Sequence, residues 1–235
     1  MKDRDLISVY RDLLAHYGPR HWWPADTPFE VMVGAVLTQN TSWTNVERAL
    51  DRLREVVALE PQAMARLPVD VLADALRPAG YYNVKERRLR ALCQWVVDRG
   101  GMEALHGLET QALRAALLCV HGVGPETADD IVLYAFGRPV FVIDAYTRRL
   151  FARLGYAQGE ETYEDLRMRF ERALPRDAAL YNEYHALIVE HAKTTCRTKP
   201  VCDACVLQAS CRARLSCGRP AGRRRYLDRK RVKET

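Results

Sequence analysis

Residues 121–130 read HGVGPETADD, a stretch that predicts two helices joined by a tight turn. Glycines at positions 122 and 124 adopt positive φ easily, and such a turn exposes backbone N–H groups. Pro125 suits the first position of the second helix, whose apolar face continues to Ala135. Amides at a helix N-terminus can bind a phosphate without reading a base, although ordinary helix–helix turns show the same pattern.

The segments around this turn are also helical in pattern. In TPFEVMVGAVL, Thr27 caps a helix, Pro28 takes its first position and Glu30 completes a capping box. This cap favours a buried helix for the apolar run that follows, which by composition alone could be a buried strand. The best strand candidate is the short stretch RPVFVID, residues 138–144. The sequence therefore predicts an all-α fold.

Composition limits the class of protein. The chain has 235 residues, of which 48% are hydrophobic, enough for one large domain or two small ones. Its formal net charge of +6 suits a polyanionic partner, but many basic proteins bind no nucleic acid. No apolar run is long enough to span a membrane, and the N-terminus lacks the apolar core of a signal peptide. We therefore expect no membrane partner.

Four of the seven cysteines are grouped near the C-terminus. A Cys-x2-Cys pair places two thiolates on one metal centre, and the outer two are close enough to complete a four-thiolate site. Zinc and a 4Fe–4S cluster both accept this ligand set, and the spacing does not decide between them. Cys93 and Cys119 fall within helical patterns and are expected in the core. The spacing of the four is Cys196-x5-Cys202-x2-Cys205-x5-Cys211.

Asp144 ends the stretch VFVID, 18 residues after Glu126, and precedes the helical stretch AYTRRLFARLG. A carboxylate at this place caps the helix and stabilises it by about 1 kcal/mol. The same carboxylate can face a cleft, so the two roles are compatible.

Taken in this order, the hairpin turn, the aspartate and the four cysteines resemble the helix-hairpin-helix DNA glycosylases of the endonuclease III superfamily. The resemblance extends over residues 5–212 and includes VLTQNTSWTNVERAL and AGYYNVKERRLRAL. It implies a six-helix barrel domain with the hairpin over residues 27–136. It also implies a second helical domain, residues 1–26 and 137–218, that carries a 4Fe–4S cluster held by the four cysteines. Residues 219–235, rich in arginine, are expected to form a mobile basic tail.

Position 126 distinguishes the branches of this superfamily. Bifunctional members have a lysine there, whose amine attacks the sugar C1′ and forms a Schiff base. Glu126 cannot form that imine, so the resemblance implies a monofunctional glycosylase in which Asp144 is the catalytic residue. Members that excise mismatched adenine have a glutamate aligned with Gly34, which argues against that branch.

The best match is to the bacterial 3-methyladenine DNA glycosylases, through the stretches HWWP, LTQNT and GPETAD. Aromatic residues line the base pocket in that branch, and tryptophan is the strongest cation–π partner for a cationic N-alkylated purine. Such a base leaves without a general acid because its glycosidic bond is already weak. Packing at a domain junction is the alternative role for the two adjacent tryptophans. The predicted substrate-binding residues are Trp22, Trp23, Pro24, Trp43 and Lys193.

Double-stranded DNA that contains a damaged base is the expected partner. The hairpin amides of Gly122 and Gly124 are expected to bind a backbone phosphate, together with a monovalent cation. Asn40 and Tyr81 match family positions that fill the gap left by a flipped nucleotide. The resemblance further implies a monomer in the cytoplasm of a bacterium or archaeon, associated with the nucleoid.

Other functions stay open at this point. A monofunctional enzyme could instead remove a mismatched thymine or uracil, or an oxidised pyrimidine. An endonuclease III-like enzyme would add AP lyase activity. A protein that lost catalysis together with its lysine would only bind DNA through an iron–sulfur domain, but the presence of Asp144 argues against this alternative.

Overall fold

The structure, a computed structural model, describes residues 5–217, with side chains to residue 214. Within this range the chain is helical and has no β-strand, which confirms the predicted all-α fold. None of the described helices is long and apolar enough to cross a membrane. Residues 1–4 and 218–235, which include the predicted basic tail, lie outside the described residues.

The helices follow one another with short connections. The first nine are α1 (Leu6–Tyr17), α2 (Pro28–Leu37), α3 (Trp43–Val56), α4 (Pro61–Arg66), α5 (Val69–Ala75), α6 (Tyr82–Asp98), α7 (Met102–His106), α8 (Thr110–Leu118) and α9 (Pro125–Asp130). A π-helical turn, Ile131–Ala135, continues α9. The others are α10 (Ala145–Leu154), α11 (Tyr163–Ala173), α12 (Ala178–Thr194) and α13 (Arg212–Cys217). Short 3-10 helices lie at Arg77–Ala79, Cys202–Ala204 and Gln208–Ser210.

Helix α2 shows how the local sequence selects helix over strand. The Thr27 side chain accepts a hydrogen bond from the Glu30 amide at 3.1 Å, and Pro28 takes the first position. The predicted capping box is only half formed, because the Glu30 carboxylate lies 2.5 Å from Arg54 on α3 instead of returning to the cap. Every residue from Phe29 to Leu37 is buried. The cap therefore determines a fully buried helix, as predicted.

The stretch RPVFVID is not a strand. Residues 139–144 have no regular secondary structure, although Phe141, Val142 and Ile143 are buried. The Phe141 amide donates to the Glu171 carboxylate at 3.0 Å, and the Ile143 amide points to the Tyr163 hydroxyl at 3.4 Å. Side chains of α11 therefore satisfy backbone groups that a strand would pair with a neighbouring strand.

Two hydrophobic cores organise the described chain. The first is built from residues between Phe29 and Val140, on helices α2 to α9. The second joins α1 to residues 141–207, so segments from both ends of the described range contribute to it. Tyr134, in the π-helical turn, packs against both cores, while its neighbour Leu133 belongs to the second. The junction between the cores therefore runs past the π-helical turn.

The two cysteines expected in the core differ in their surroundings. Cys93 is fully buried in the first core, as predicted. Cys119 is exposed, so the prediction is wrong for this residue. Helix α8 ends at Leu118, and Cys119 occupies its C-cap, beyond the last turn that packs on the core.

Candidate active site

A cleft of about 240 Å³ opens near the junction of the two cores. Its walls come from the segment between α1 and α2, the loop after α2, the start of α9, the start of α10 and the second half of α12. Six of the residues predicted from the sequence line it: Trp22, Trp23, Asn40, Trp43, Asp144 and Lys193. The other predicted residues, Pro24, Tyr81, Gly122 and Gly124, do not line the cleft.

Aromatic rings form one side of the cleft. Trp23 and Trp43 meet edge to face with ring centroids 5.2 Å apart, and Trp22 lies 6.1 Å from Trp43. The indole N–H groups of Trp22 and Trp23 are buried and have no hydrogen-bond partner in the described part of the chain. Both tryptophans are only half-buried, so they present apolar ring surface to the cleft.

Gly34 on α2 makes room for this aromatic wall. A Cβ atom added at position 34 would lie 3.2 Å from Cζ2 of Trp23. A side chain at this position would require Trp23 to shift by a few tenths of an ångström. The glycine therefore allows the close approach of Trp23 to α2.

Asp144 serves as a helix cap and also faces the cleft. One oxygen, Oδ1, accepts a hydrogen bond from the Thr147 amide at 2.6 Å and caps α10. The other, Oδ2, lies 3.6 Å from Nε2 of His185 on α12. Burial acts to raise the pKa of Asp144, but His185 and Thr147 outweigh burial and lower the pKa below its usual value. The carboxylate is therefore held ionised inside the protein.

Two further carboxyl groups line the same cleft. Glu126 lies in the first turn of α9, as predicted, and burial in the cleft followed by the charge of Asp144 raises its pKa. The residue is exposed by its surface area, because the cleft is open to solvent. Asp130, one turn further, is buried, and burial raises its pKa well above the usual value. Asp144 is therefore the most acidic of the three carboxyl groups in the cleft.

Lys193 contributes a cation at the edge of the cleft. Its Nζ lies 5.6 Å from the ring centroid of Trp22 and 6.0 Å from that of Tyr146. The side chain is exposed, so the ammonium group keeps access to water. The cleft thus combines aromatic faces, an ionised carboxylate and one lysine.

Sequence reasoning missed His185, which lies in the middle of α12 and lines the cleft. A lone histidine on an apolar helix face usually belongs to the core, and nothing local in the chain links it to Asp144. The one available signal is a polar side chain directly before the apolar run ALIV, residues 186–189, of α12.

The hairpin turn differs in one respect from the prediction. Gly122 has a φ of +83°, and an added Cβ would lie 2.2 Å from Cγ of Arg88. Gly124 has a φ of −91°, so only one of the two glycines adopts the predicted positive φ. Neither amide donates a hydrogen bond to another described residue. Gln39 anchors the turn, since its Nε2 donates to the Gly122 carbonyl at 3.0 Å and to Thr127 Oγ1 at 2.9 Å.

The two residues predicted to fill the gap in DNA share an unusual backbone. Asn40 has a φ of +56° and Tyr81 a φ of +48°, the left-handed region that non-glycine residues rarely adopt. Both are exposed, and Tyr81 is 71% accessible. The turns that carry them are joined by Lys85, whose buried Nζ donates to the carbonyls of Leu37 and Ala79.

The four C-terminal cysteines surround a second cavity of about 350 Å³. None of the four forms a disulfide, and no group of His, Cys, Asp or Glu within residues 5–217 is gathered so as to hold a single metal ion. Tetrahedral zinc would need sulfur atoms about 3.8 Å apart, since each Zn–S bond is about 2.3 Å. All four cysteines line a cavity whose volume is far larger than one ion fills, and Arg153 donates to Cys196 Sγ at 3.3 Å.

A hairpin turn in the first helical core, a capped aspartate in an aromatic cleft and a loop of four cysteines are the features expected of a helix-hairpin-helix base-excision protein. Residues 33–176 match the model of the HhH-GPD superfamily base excision DNA repair protein, and the chain belongs to this superfamily. The family resemblance stated from the sequence is thereby confirmed.

Three related proteins show the extent of the similarity. The chain is 46% identical over 209 residues to "Putative DNA repair glycosylase MJ1434" of Methanocaldococcus jannaschii, covering 88% of this chain and 95% of that one. The H. pylori 3-methyladenine DNA glycosylase (MagIII) bound to 1,N6-ethenoadenine is 30% identical, with a TM-score of 0.71 over 81% of this chain and 98% of that one. A non-covalent Endonuclease III–DNA complex, 21% identical, shares the fold with a TM-score of 0.79 over 92% and 98%.

Proposed function

We propose that the protein is a monofunctional DNA glycosylase that removes an N-alkylated purine such as 3-methyladenine and leaves an abasic site. The observation that carries this proposal is the cleft itself. An ionised Asp144 faces a wall of three tryptophans, and a glutamate stands at position 126 where bifunctional relatives have lysine. The related MagIII structure, a 3-methyladenine glycosylase bound to a modified adenine, supports the same substrate class.

The aromatic wall is suited to a flat cationic base. A cation stacked on tryptophan gains from about 0.5 kcal/mol to about 2 kcal/mol when water is excluded. Trp22 and Trp43 are the rings we assign to this stacking. The indole rings of Trp22 and Trp43 both line the cleft and offer apolar faces for this stacking.

Asp144 acts on the sugar. When the bond between C1′ and the base nitrogen breaks, its electron pair neutralises the cationic base, which leaves as a neutral purine. The sugar becomes an oxocarbenium ion, and the nearby carboxylate stabilises its positive charge. Water then attacks C1′ and loses a proton to solvent, directly or through Asp144. Glu126 forms no bond to C1′, so the product strand stays intact.

DNA is engaged outside the cleft. We propose that the amides of Gly122 and Gly124 bind a backbone phosphate together with a monovalent cation. Asn40 and Tyr81 fill the gap left when the damaged nucleotide flips out, which costs a few kcal/mol. The protein acts as a monomer with two domains, 27–136 and 1–26 with 137–218. Most residues of each described core fall within one of these domains, which supports the division, although Val140 belongs to the first core and Leu133 to the second.

The cavity between the four cysteines suits a 4Fe–4S cluster better than a single ion. Cys196, Cys202, Cys205 and Cys211 would hold it, and when bound it would cross-link the C-terminal loop through four iron–sulfur bonds. The Arg153 guanidinium on α10 donates hydrogen bonds to the carbonyls of Arg197 and Thr198 and so fixes the start of this loop. Excision needs no redox change, so we assign the loop a structural role beside DNA.

Lys193 favours a second candidate substrate. Uracil or mismatched thymine leaves as an anion, and an ammonium group at the cleft edge would stabilise it, whereas the same group repels a cationic purine. The lysine lies over Trp22, at the wall that would stack the base. A monofunctional pyrimidine glycosylase therefore remains the alternative to be tested.

A panel of DNA duplexes, each with one candidate damaged or mismatched base, distinguishes an alkylpurine glycosylase from a pyrimidine glycosylase. We expect release of 3-methyladenine or another N-alkylated purine, an abasic strand that breaks only in alkali, and no complex trapped by borohydride. Release of uracil or thymine alone would establish the alternative. Strand cleavage without alkali, together with borohydride trapping, would refute the monofunctional assignment and make Lys193 the first nucleophile to test. Glu126→Lys should create some trapping, because it restores an amine at the position used by bifunctional relatives.

A further inference from the structure

The imidazole of His185 has a partner on only one of its nitrogens. The residue is 6% exposed, and Nδ1 lies 2.5 Å from the Tyr134 hydroxyl. Nε2 is also buried but has no hydrogen-bond partner among residues 5–217. Its nearest charged neighbour is the Asp144 carboxylate, 3.6 Å away and just beyond hydrogen-bond distance. An unsatisfied buried nitrogen beside a carboxylate in a cleft points to a role in the site.

Tyr134 determines where the imidazole carries its hydrogen. Burial raises the pKa of the Tyr134 phenol well above its usual value, so the hydroxyl keeps its proton. When this hydroxyl donates to Nδ1, the neutral imidazole carries its own hydrogen on Nε2. The N–H group then faces Asp144. The other tautomer would place a nitrogen lone pair against a negative carboxylate, which is unfavourable.

The same tyrosine also supports the aromatic wall. Tyr134 lies in the π-helical turn after α9, and its ring centroid is 5.1 Å from that of Trp23. One side chain therefore contacts a tryptophan of the base pocket through its ring and the histidine beside Asp144 through its hydroxyl. Tyr134 therefore contacts both the wall that is proposed to bind the base and the histidine that faces the Asp144 carboxylate.

We propose that His185 is a positioning residue for Asp144, and that the Tyr134 hydroxyl fixes the tautomer in which Nε2–H faces the carboxylate. The Thr147 amide holds Oδ1 and the imidazole holds the side of Oδ2, so the carboxylate stays turned toward the sugar. The excision step in this proposal rests on the proposed function.

The first experiment measures single-turnover excision together with binding to abasic-site duplex DNA. Tyr134→Phe should lower the excision rate constant about tenfold, the equivalent of one buried hydrogen bond, and leave binding unchanged. Tyr181→Phe is the matched control, because it removes another buried hydroxyl in the same second core but outside the cleft. His185→Leu should cost about 10- to 100-fold, and His185→Gln, which keeps a donor, should recover part of the loss.

A double-mutant cycle tests positioning directly. In an Asp144→Asn background, His185→Leu should change the rate by less than about twofold, because the carboxylate that it positions is gone. Independent, multiplying losses would overturn the inference. So would an unchanged rate in both His185→Leu and Tyr134→Phe.

The second experiment does not depend on excision. Carboxyl NMR should show the pKa of Asp144 rising in His185→Leu, since burial is then no longer outweighed by the imidazole. An unshifted pKa would overturn the inference. If the unmodified protein releases no base from any duplex, the proposed function fails, and this titration still decides the role of His185. The other titratable or charged groups around the pair are Glu126, Asp130, Tyr134, Tyr146, Arg148 and Lys193.

Discussion

At the scale of single residues, Asp144 combines a structural and a chemical role, and the two can be separated. Asp144→Asn keeps an oxygen that caps α10 but removes the negative charge from the cleft. We expect single-turnover excision to fall by about 10²- to 10³-fold, the size of a lost electrostatic contact in a transition state. Binding to abasic-site DNA and the melting temperature should change little.

Asp177→Asn is the matched control for this change. Asp177 caps α12 through the amides of Ala179 and Leu180, and it lies outside the cleft. The same substitution at this cap should leave the excision rate unaffected. Equal rates for the two variants would show that Asp144 is only a helix cap.

The hairpin glycines give a second pair of matched substitutions. Gly122→Ala places a Cβ at positive φ and against Arg88, so we expect a loss of about 1–2 kcal/mol of stability and weaker DNA binding. Gly124→Ala meets no atom within 4 Å and needs no unusual φ, so stability and binding should stay close to those of the parent. Thermal unfolding and DNA titration at constant salt compare the two, and equal effects would contradict this account.

At the scale of helices, the sequence predicts elements well where the signal is local. The cap at Thr27 and the apolar run after it were enough to predict α2. The apolar stretch before Asp144 did not distinguish a strand from an irregular segment. The Phe141 amide is satisfied by Glu171 on α11, a contact that no local sequence pattern reveals. His185 escaped prediction for a similar reason. Its role depends on Asp144, 41 residues earlier in the chain, and on a π-helical turn that moves Tyr134 to the junction of the cores.

Lys85 on α6 hydrogen-bonds to the end of α2 and to the 3-10 helix Arg77–Ala79. Its titration should make the free energy of unfolding depend on pH. Burial, assisted by the charge of Arg88, lowers its pKa to about 8, whereas 10.5 is the ordinary value. Between these values the unfolded chain binds a proton that the folded chain does not. The contribution of Lys85 to the free energy of unfolding therefore increases as pH rises from about 8 to 10.5.

Comparison with Lys85→Met isolates this effect. Denaturant unfolding of both proteins should show a stability difference that grows in favour of the parent through this pH window. Lys193→Met, which removes an exposed lysine on α12, should show no such trend. A difference that stays constant with pH would mean that burial does not lower the pKa of Lys85 in the folded protein.

At the scale of the whole molecule, the proposed cluster would add iron–sulfur bonds to a cysteine loop that Arg153 already holds through hydrogen bonds. We expect anaerobically purified protein to be brown and to contain about four iron atoms per chain. Cys202→Ser should lose iron and lower the melting temperature. Cys93→Ser removes a thiol as well, but Cys93 is buried in the first core and away from the cysteine loop, so this variant should retain iron. Colourless protein with one zinc per chain would refute the cluster assignment.

Charge is distributed very unevenly along the chain. Residues 219–235 contain eight Lys or Arg and two acidic residues, a net charge of +6 that equals that of the whole protein. Residues 1–218 therefore have no formal net charge. The candidate cleft and both hydrophobic cores lie within this neutral part, so long-range attraction to the DNA backbone should come mainly from the last 17 residues.

Deleting residues 219–235 should therefore weaken electrostatic attraction to the DNA backbone without removing base excision. Each phosphate contact contributes about 0.9 to the slope of log affinity against log salt, so eight cations can account for a slope of at most about 7. We expect non-specific binding to become weaker and much less sensitive to salt, while single-turnover excision at low salt and saturating protein is retained. A variant with the tail arginines replaced by glutamine keeps the chain length and should behave like the deletion. An unchanged salt slope in both variants would place the phosphate contacts on the neutral part of the chain instead, with the hairpin amides of Gly122 and Gly124 as the first candidates.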